Sequence, residues 1–144
     1  MDVSELRKRI LRAIDDARKD AESRRTVVDE SVKAYDTFLR TIAVPLLRQA
    51  AQVLNAAGHS FIVHTPADSV RLAAEKSPQT FIEIELDRAS AQPAVMGRVS
   101  VTRGRQGLVI EERPLAPHRP VADVTEEDVS AFLVTEVPKL VLKP

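Results

Sequence analysis

The first 57 residues carry the feature that most limits the fold, a helical periodicity with almost no interruption. Apolar side chains recur at steps of three and four from Val3 to Ala57, the spacing that places residues on one face of an α-helix. Asp2 followed by Glu5 has the spacing of a capping box, and Gly58 stands where a glycine commonly ends a helix. At ~1.5 Å per residue such a helix would be ~84 Å long. A compact chain of 144 residues has a radius of gyration of about 15 Å, so the helix either folds back or projects and pairs with another copy.

Two positions predict that this helix is broken or kinked. Thr26 and Asp29 have the spacing of a second capping box, which favours a new helix start and a break near 23–27. Pro45 lacks an amide hydrogen and clashes with the preceding turn, which favours a kink there. The sequence therefore predicts a long helix with discontinuities near 23–27 and 45.

The two sides of the first break differ in character. Residues 1–25 form a predicted helical extension, either a hairpin arm or a surface for self-association, and 26–144 form a single α+β domain. The stripe from 28 to 57 is expected to pack on the sheet as core. The extension has no obvious internal partner, so its apolar stripe is the expected interaction surface. The residues we expect to make that contact are Leu6, Ile10 and Ile14.

A run of short β-type segments follows the long helix, and no segment of helical length separates them. Tight connections between short strands are typical of an antiparallel meander, here of four or five strands. One face of such a sheet is expected to be apolar and the other wet. The predicted strands are 59–65, 70–74, 80–87, 94–102 and 108–113, and the segment 70–74 is also compatible with a short helix.

The chain closes with a second helical pattern. Thr125 with Asp128 makes a third capping box, and the apolar stripe that follows predicts a helix that Pro138 should end or bend. Helices on one face of the meander give an α+β, two-layer sandwich.

The segment 80–87 carries the densest acidic set. Glu83, Glu85 and Asp87 fall on one face of a regular strand together with Phe81. Carboxylates at that spacing suit acid–base chemistry or a divalent cation, and His64 is near them in the sequence. The alternative is a solvated strand face with Arg98 pairing from a neighbouring strand, and this is the interpretation we favour.

Arginines gather around the last predicted hairpin. Arg98, Arg103 and Arg105, with Arg113 nearby, form the best basic patch in the chain, and such a hairpin can grip phosphates. No aromatic side chain interleaves with it, so the stacking platform of single-strand binders is missing. A solvated turn is the competing interpretation.

Composition limits the remaining functions. The 21 Lys and Arg balance the 21 Asp and Glu, so the chain lacks the excess charge that phosphate-backbone binding usually needs. With no cysteine, thiolate catalysis, disulfides and iron–sulfur clusters are excluded. No metal-ligand spacing, phosphate loop or nucleophile elbow occurs, so neither a metal nor an organic cofactor is expected. The charged N-terminus and the absence of a long apolar run predict no membrane segment and a cytoplasmic protein.

These observations favour a non-enzymatic interaction or adaptor protein. It would self-associate, most simply as a homodimer, through its N-terminal helix and bind a macromolecular partner such as another protein. Nucleic-acid binding by the arginine hairpin is the first alternative. A small ligand-binding domain or hydrolase using the strand carboxylates is the second.

Overall fold

The computed structural model describes residues 1–142 and has the predicted α+β order, a long helical segment, a five-stranded antiparallel sheet and a last helix. The strand order is β1-β2-β3-β4-β5, a simple meander. Residues 143 and 144, the end of the predicted domain, lie outside the described residues. The helices are α1 (Val3–Phe38), α2 (Val44–Ala56) and α3 (Glu126–Val141), and the strands are β1 (Phe61–His64), β2 (Val70–Ala74), β3 (Phe81–Asp87), β4 (Ala94–Thr102) and β5 (Leu108–Pro114).

The break predicted at 23–27 is wrong, because α1 continues unbroken through this segment. The Thr26 hydroxyl donates to the carbonyl oxygen of Glu22 at 3.0 Å. A threonine that bonds the carbonyl four residues back is compatible with a continuous helix. Thr26 therefore lies within α1 and does not begin a new helix.

The disruption predicted near Pro45 is present, as a change of helix type. The hydrogen bonds widen to a π-helical turn over Leu39–Ala43, and the amide of Val44 donates to the carbonyl of Leu39. Pro45 then occupies one of the first positions of α2, where the missing amide hydrogen costs little. The π turn therefore accommodates the proline without ending the helical path.

Gly58 ends α2, as the sequence predicts. Its φ of 91° lies in the left-handed region, where glycine carries no Cβ penalty. The amide of Gly58 donates to the carbonyl of Asn55 at 3.1 Å and that of His59 to the carbonyl of Leu54 at 2.8 Å. These two bonds are those of a Schellman motif, and they turn the chain into β1.

One face of the sheet is covered by helices and forms the core. α2 contacts β1 and β2, while α3 contacts β3 and β4. The alternation of β3 is as predicted on this side, since Ile82 and Ile84 are fully buried. The largest side chains buried in this layer are Phe132, Leu47, Leu72, Ile82, Ile84, Val70 and Val129.

The opposite face is less wet than the alternation predicts. Phe81 lies there as expected, but the guanidinium of Arg71 covers its ring at 4.0 Å from the centroid, so the ring is buried. Glu83 is only 5% exposed. The antiparallel register places Arg71 directly opposite Glu83, a long-range pairing that the local sequence pattern does not contain.

The start of α3 confirms the third capping box. The Thr125 hydroxyl accepts from the amide of Asp128, and the Asp128 carboxylate accepts from the amide of Thr125. Of the two outcomes predicted for Pro138, an end or a bend, the end does not occur, because α3 continues to Val141. The carbonyl of Val134 loses its helical donor, and this residue is exposed, so water can take the bond.

None of the helices formed by residues 1–142 is long and apolar enough to cross a membrane.

Candidate interaction surfaces

The first part of α1 projects away from the rest of the chain. We call residues 3–27 the arm; about 25 helical residues make it about 37 Å long. Every arm side chain is exposed except Ala21, which is half-buried. Half-buried and buried side chains recur along α1 from Val28 onward, three residues after the end of the predicted extension at residue 25.

The arm carries an exposed apolar stripe. Leu6 is 47% exposed, Ile10 50% and Ile14 44%, and their spacing places the three side chains on one face of the helix. Val3 and Leu11 extend the apolar surface at its end and along one edge. The structure thus brings together the three residues selected from the sequence and leaves them accessible.

Ion pairs within α1 support the arm as a helix. Arg9 bonds Glu5 at 3.1 Å and Lys19 bonds Asp15 at 3.1 Å, both across one helical turn. Exposed pairs of this kind contribute about 0.3–0.5 kcal/mol each. The amide of Ser4 also donates to the Asp2 carboxylate, which caps the helix. These local interactions favour a helical arm, and its continuity with the packed part of α1 removes the cost of a separate nucleus.

The carboxylates of β3 are each engaged by a neighbouring group. Glu83 accepts from Arg71 at 2.5 Å, and Glu85 accepts from Arg98 at 2.6 Å. Asp87 accepts from the amide of Ala89 and the hydroxyl of Ser90, both at 2.9 Å. The structure therefore favours the interpretation of these acids as a paired strand face.

One of these acids, Glu83, belongs to a row of polar side chains that crosses all five strands. The register aligns His64, Arg71, Glu83, Arg98 and Glu112. Arg98 also bonds Glu112 at 2.6 Å, and that hydrogen bond raises the pKa of the guanidinium above its ordinary value. Alternating charges across neighbouring strands stabilise a sheet face. Residues 1–142 contain no group of three or more acidic or histidine side chains placed to hold a metal ion.

The arginines of the predicted basic patch are separated. Arg103 and Arg105 are exposed at the tip of the β4–β5 hairpin, around the turn Gly104–Gln106. Arg98 points from mid-strand into its two carboxylates, and Arg113 lies 4.9 Å from the ring centroid of Phe132 and bonds Glu136 at 3.2 Å. Only Arg103 and Arg105 remain as a contiguous basic tip.

A groove between α2 and α3 is the surface that the sequence patterns missed. Its volume is about 410 Å³. The stripe of α2 was expected to be wholly core, yet Val53 is 69% exposed, and Val134 on α3 is 73% exposed. One sequence signal could have indicated it: Val134 directly follows Leu133, and two adjacent apolar residues cannot both face the core from one narrow helical stripe. The lining residues are Leu46, Gln49, Ala50, Val53, Leu54, Ser130, Leu133, Val134, Val137 and Pro138.

Comparison of the chain with protein-family models, with curated proteins and with solved structures finds no match.

Proposed function

We propose that the protein is a non-enzymatic interaction protein that forms a homodimer through its arm and binds a macromolecular partner through its α+β domain. The observation that carries the proposal is the arm itself. A projecting helix exposes Leu6, Ile10 and Ile14 on one face. Since each is about half exposed, burying the remainder is worth roughly 1 kcal/mol per side chain. A chain of this kind gains stability when a second apolar surface covers the stripe.

The partner surface that we propose on the domain is the α2–α3 groove. Its walls are almost entirely apolar, and Val53 and Val134 project at its rims. Grooves between helices commonly receive the apolar face of an amphipathic helix, so a protein partner suits it better than a polar ligand. The absence of cysteine fits a reducing compartment, and we propose a cytoplasmic setting.

Size-exclusion chromatography with light scattering tests the self-association. The wild-type chain is expected to elute with twice the mass of one copy. The double variant Leu6→Glu/Ile10→Glu should elute as a monomer with an unchanged far-UV circular dichroism spectrum per residue. A matched control, Ser4→Glu/Ser23→Glu, adds the same charges on the opposite side of the arm and should remain dimeric. A wild-type monomer at all concentrations, or a dimeric stripe variant, overturns the proposal.

Nucleic-acid binding by the hairpin tip is the second candidate, favoured by Arg103 and Arg105. Neither forms an ion pair with the described residues, and a dimer would carry two such tips. The test is fluorescence anisotropy with a labelled DNA duplex and a labelled RNA at several salt concentrations. This function requires salt-sensitive binding that Arg103→Ala/Arg105→Ala removes, while Arg7→Ala/Arg18→Ala on the arm leaves it unchanged. Equal binding by the hairpin variant eliminates this candidate.

A further inference from the structure

The arm stripe lies on the same side of α1 as the protein's own domain. Residues eleven apart span three helical turns, with a drift of only about 20°. The series that starts at Leu6 continues through Ala17 and Val28 to Leu39. Leu39 packs against the core and Val28 is half-buried, whereas Leu6 is exposed. A helix that covers the arm stripe must therefore lie on the domain side of α1.

That position decides the direction of a second arm. In a parallel pair both domains would stand at the same end, and the partner's α1 would run into the first domain beyond Val28. In an antiparallel pair the domains stand at opposite ends. The N-terminus of each arm then stops where the other copy's domain begins.

Side-chain size then selects the register. The large side chains of the stripe occupy the first half of the arm, and alanines occupy positions 13, 17 and 21. When facing residue numbers add to 27, Leu6 of one copy meets Ala21 of the other and Ile10 meets Ala17. Ala13 and Ile14 lie on opposite sides of the stripe's midline, so next to the two-fold axis Ile14 packs against the partner copy's Ile14 and Ala13 against its Ala13.

We propose that two copies of this chain pair their arms antiparallel in this register, with Leu6 and Ile10 of each copy seated on Ala21 and Ala17 of the other and the two Ile14 side chains in contact next to the two-fold axis. This inference rests on the proposed self-association and adds its geometry. Large side chains set against small ones let two helices approach closely and interdigitate. In this register positions 3–24 overlap, a seam about 33 Å long that buries on the order of 1,000 Å² in total, the low end for stable association, so the dimer should dissociate on dilution.

Charges along one edge of the stripe agree with this register. Arg9, Asp16 and Asp20 share one flank of the arm, and in an antiparallel pair equal flanks meet. Position 9 of one copy faces position 18 of the other, so Arg9 stands between the partner copy's two aspartates on that flank. The other flank carries Arg7, Leu11 and Arg18. There Arg7 faces position 20 of the other copy and lies near its Arg18, a like-charge contact.

Disulfide trapping tests the pairing directly, because the chain has no cysteine of its own. Three single variants are needed, Leu6→Cys, Ala13→Cys and Ala21→Cys, each oxidised as the full chain. In the proposed register position 13 lies next to the two-fold axis, and Ala13→Cys should cross-link to itself. Positions 6 in the two copies stand ~22 Å apart, far beyond disulfide reach. Leu6→Cys and Ala21→Cys should therefore stay uncrosslinked alone and form a mixed disulfide when one carries a tag and the two are co-refolded.

Each alternative outcome contradicts one part of the proposal: the direction of the arms, their register or the self-association itself. Self-crosslinking of Leu6→Cys with an equally reactive Ala21→Cys means parallel arms. A dimeric mass without the predicted disulfides overturns the register and leaves self-association standing. A monomeric mass for the wild-type chain removes both.

A charge exchange provides a test that does not depend on oxidation. Arg9→Glu should weaken the dimer at least severalfold at low salt, because it sets three acids against one another on the same flank. Adding Asp16→Arg/Asp20→Arg in the same chain should restore the wild-type dissociation constant within about threefold. Restoration would also show that Arg9→Glu acts through charge pairing between the two copies and not through a general loss of helix stability. If the triple variant is as weak as Arg9→Glu, the antiparallel register is wrong.

Discussion

The ring of Phe132 on α3 lies directly against the backbone of Gly97 in the middle of β4. A Cβ at position 97 would stand 2.6 Å from Cε2 of that ring and closer still to Cζ. Gly97 has ordinary strand geometry, so its role is to leave room for Phe132 rather than to allow an unusual backbone. This contact fixes how closely the last helix approaches the sheet.

Gly97→Ala is therefore expected to destabilise the fold. An added methyl group in a packed core costs typically 1–3 kcal/mol, measured as the free energy of unfolding in urea. Phe132→Leu removes part of the ring and should relieve the clash. In a double-mutant cycle the loss for Gly97→Ala/Phe132→Leu should be smaller than the sum of the two single losses. Additive losses would contradict a direct contact.

Tyr35 gives a second prediction, because it is the only tyrosine and the chain has no tryptophan. Its hydroxyl donates to the carbonyl of Asp68 at 2.6 Å. Burial, with a further contribution from the charge of Asp68, raises the pKa of the phenol well above its ordinary value. A pKa raised in the folded state favours the neutral form, so Tyr35 stabilises the protein fully below pH 10 and loses that contribution above it.

Ultraviolet titration of the tyrosinate band measures this effect. In urea the band should appear near pH 10, the ordinary pKa of tyrosine. In the folded protein it should appear only at higher pH, together with unfolding. Tyr35→Phe should show a shallower loss of stability above pH 10. A band near pH 10 in the folded protein would falsify the buried hydrogen bond.

The helix cap at Thr125 gives a third prediction. Burial alone would raise the pKa of Asp128, but hydrogen bonds from Thr125 and Arg119 outweigh it and lower the pKa. A lowered pKa stabilises the folded state above the unfolded value near pH 4, and this contribution disappears as the pH falls through the folded value. Thr125→Ala should cost about 1 kcal/mol at neutral pH, with a smaller further loss on acidification than in the wild type. Thr125→Ser keeps the hydroxyl and serves as the control; equal losses in both variants would contradict the cap.

Local patterns in the sequence account for much of this architecture. The alternation of β3, the cap at Thr125 and the helix end at Gly58 each involve residues within a few positions of one another. Local chemistry therefore determines all three. The unexpected burial on the polar face of β3 has another origin, the pairing of groups far apart in sequence. Arg71 covers Phe81 because the strand register brings them together, and no local pattern contains that register.

The same distinction between local and long-range contacts explains which surfaces the sequence predicts correctly. The arm stripe is visible from spacing alone, because a projecting helix has no tertiary neighbours to hide its residues. The basic patch looked larger than it is, since Arg98 is adjacent in sequence to the hairpin yet faces Glu85 and Glu112 across the strands. The α2–α3 groove depends on the relative placement of two helices 70 or more residues apart, so the helical periodicity alone predicts Val53 as core although it is exposed.

The arm's independence from the domain gives the last prediction. A chain that starts at Thr26 loses residues whose side chains are nearly all exposed, so little of the core is removed. Without Glu22 the Thr26 hydroxyl loses its acceptor, and its spacing to Asp29 then suits a capping box for the shortened helix. We expect this chain to be monomeric and to unfold in urea within about 1 kcal/mol of Leu6→Glu/Ile10→Glu, the full-length monomeric variant. Thr26→Ala in the shortened chain should cost about 1 kcal/mol, while the same substitution in the full chain should cost less. A shortened chain that remains dimeric places the interface on the domain, and one that does not fold shows that the arm supports the core.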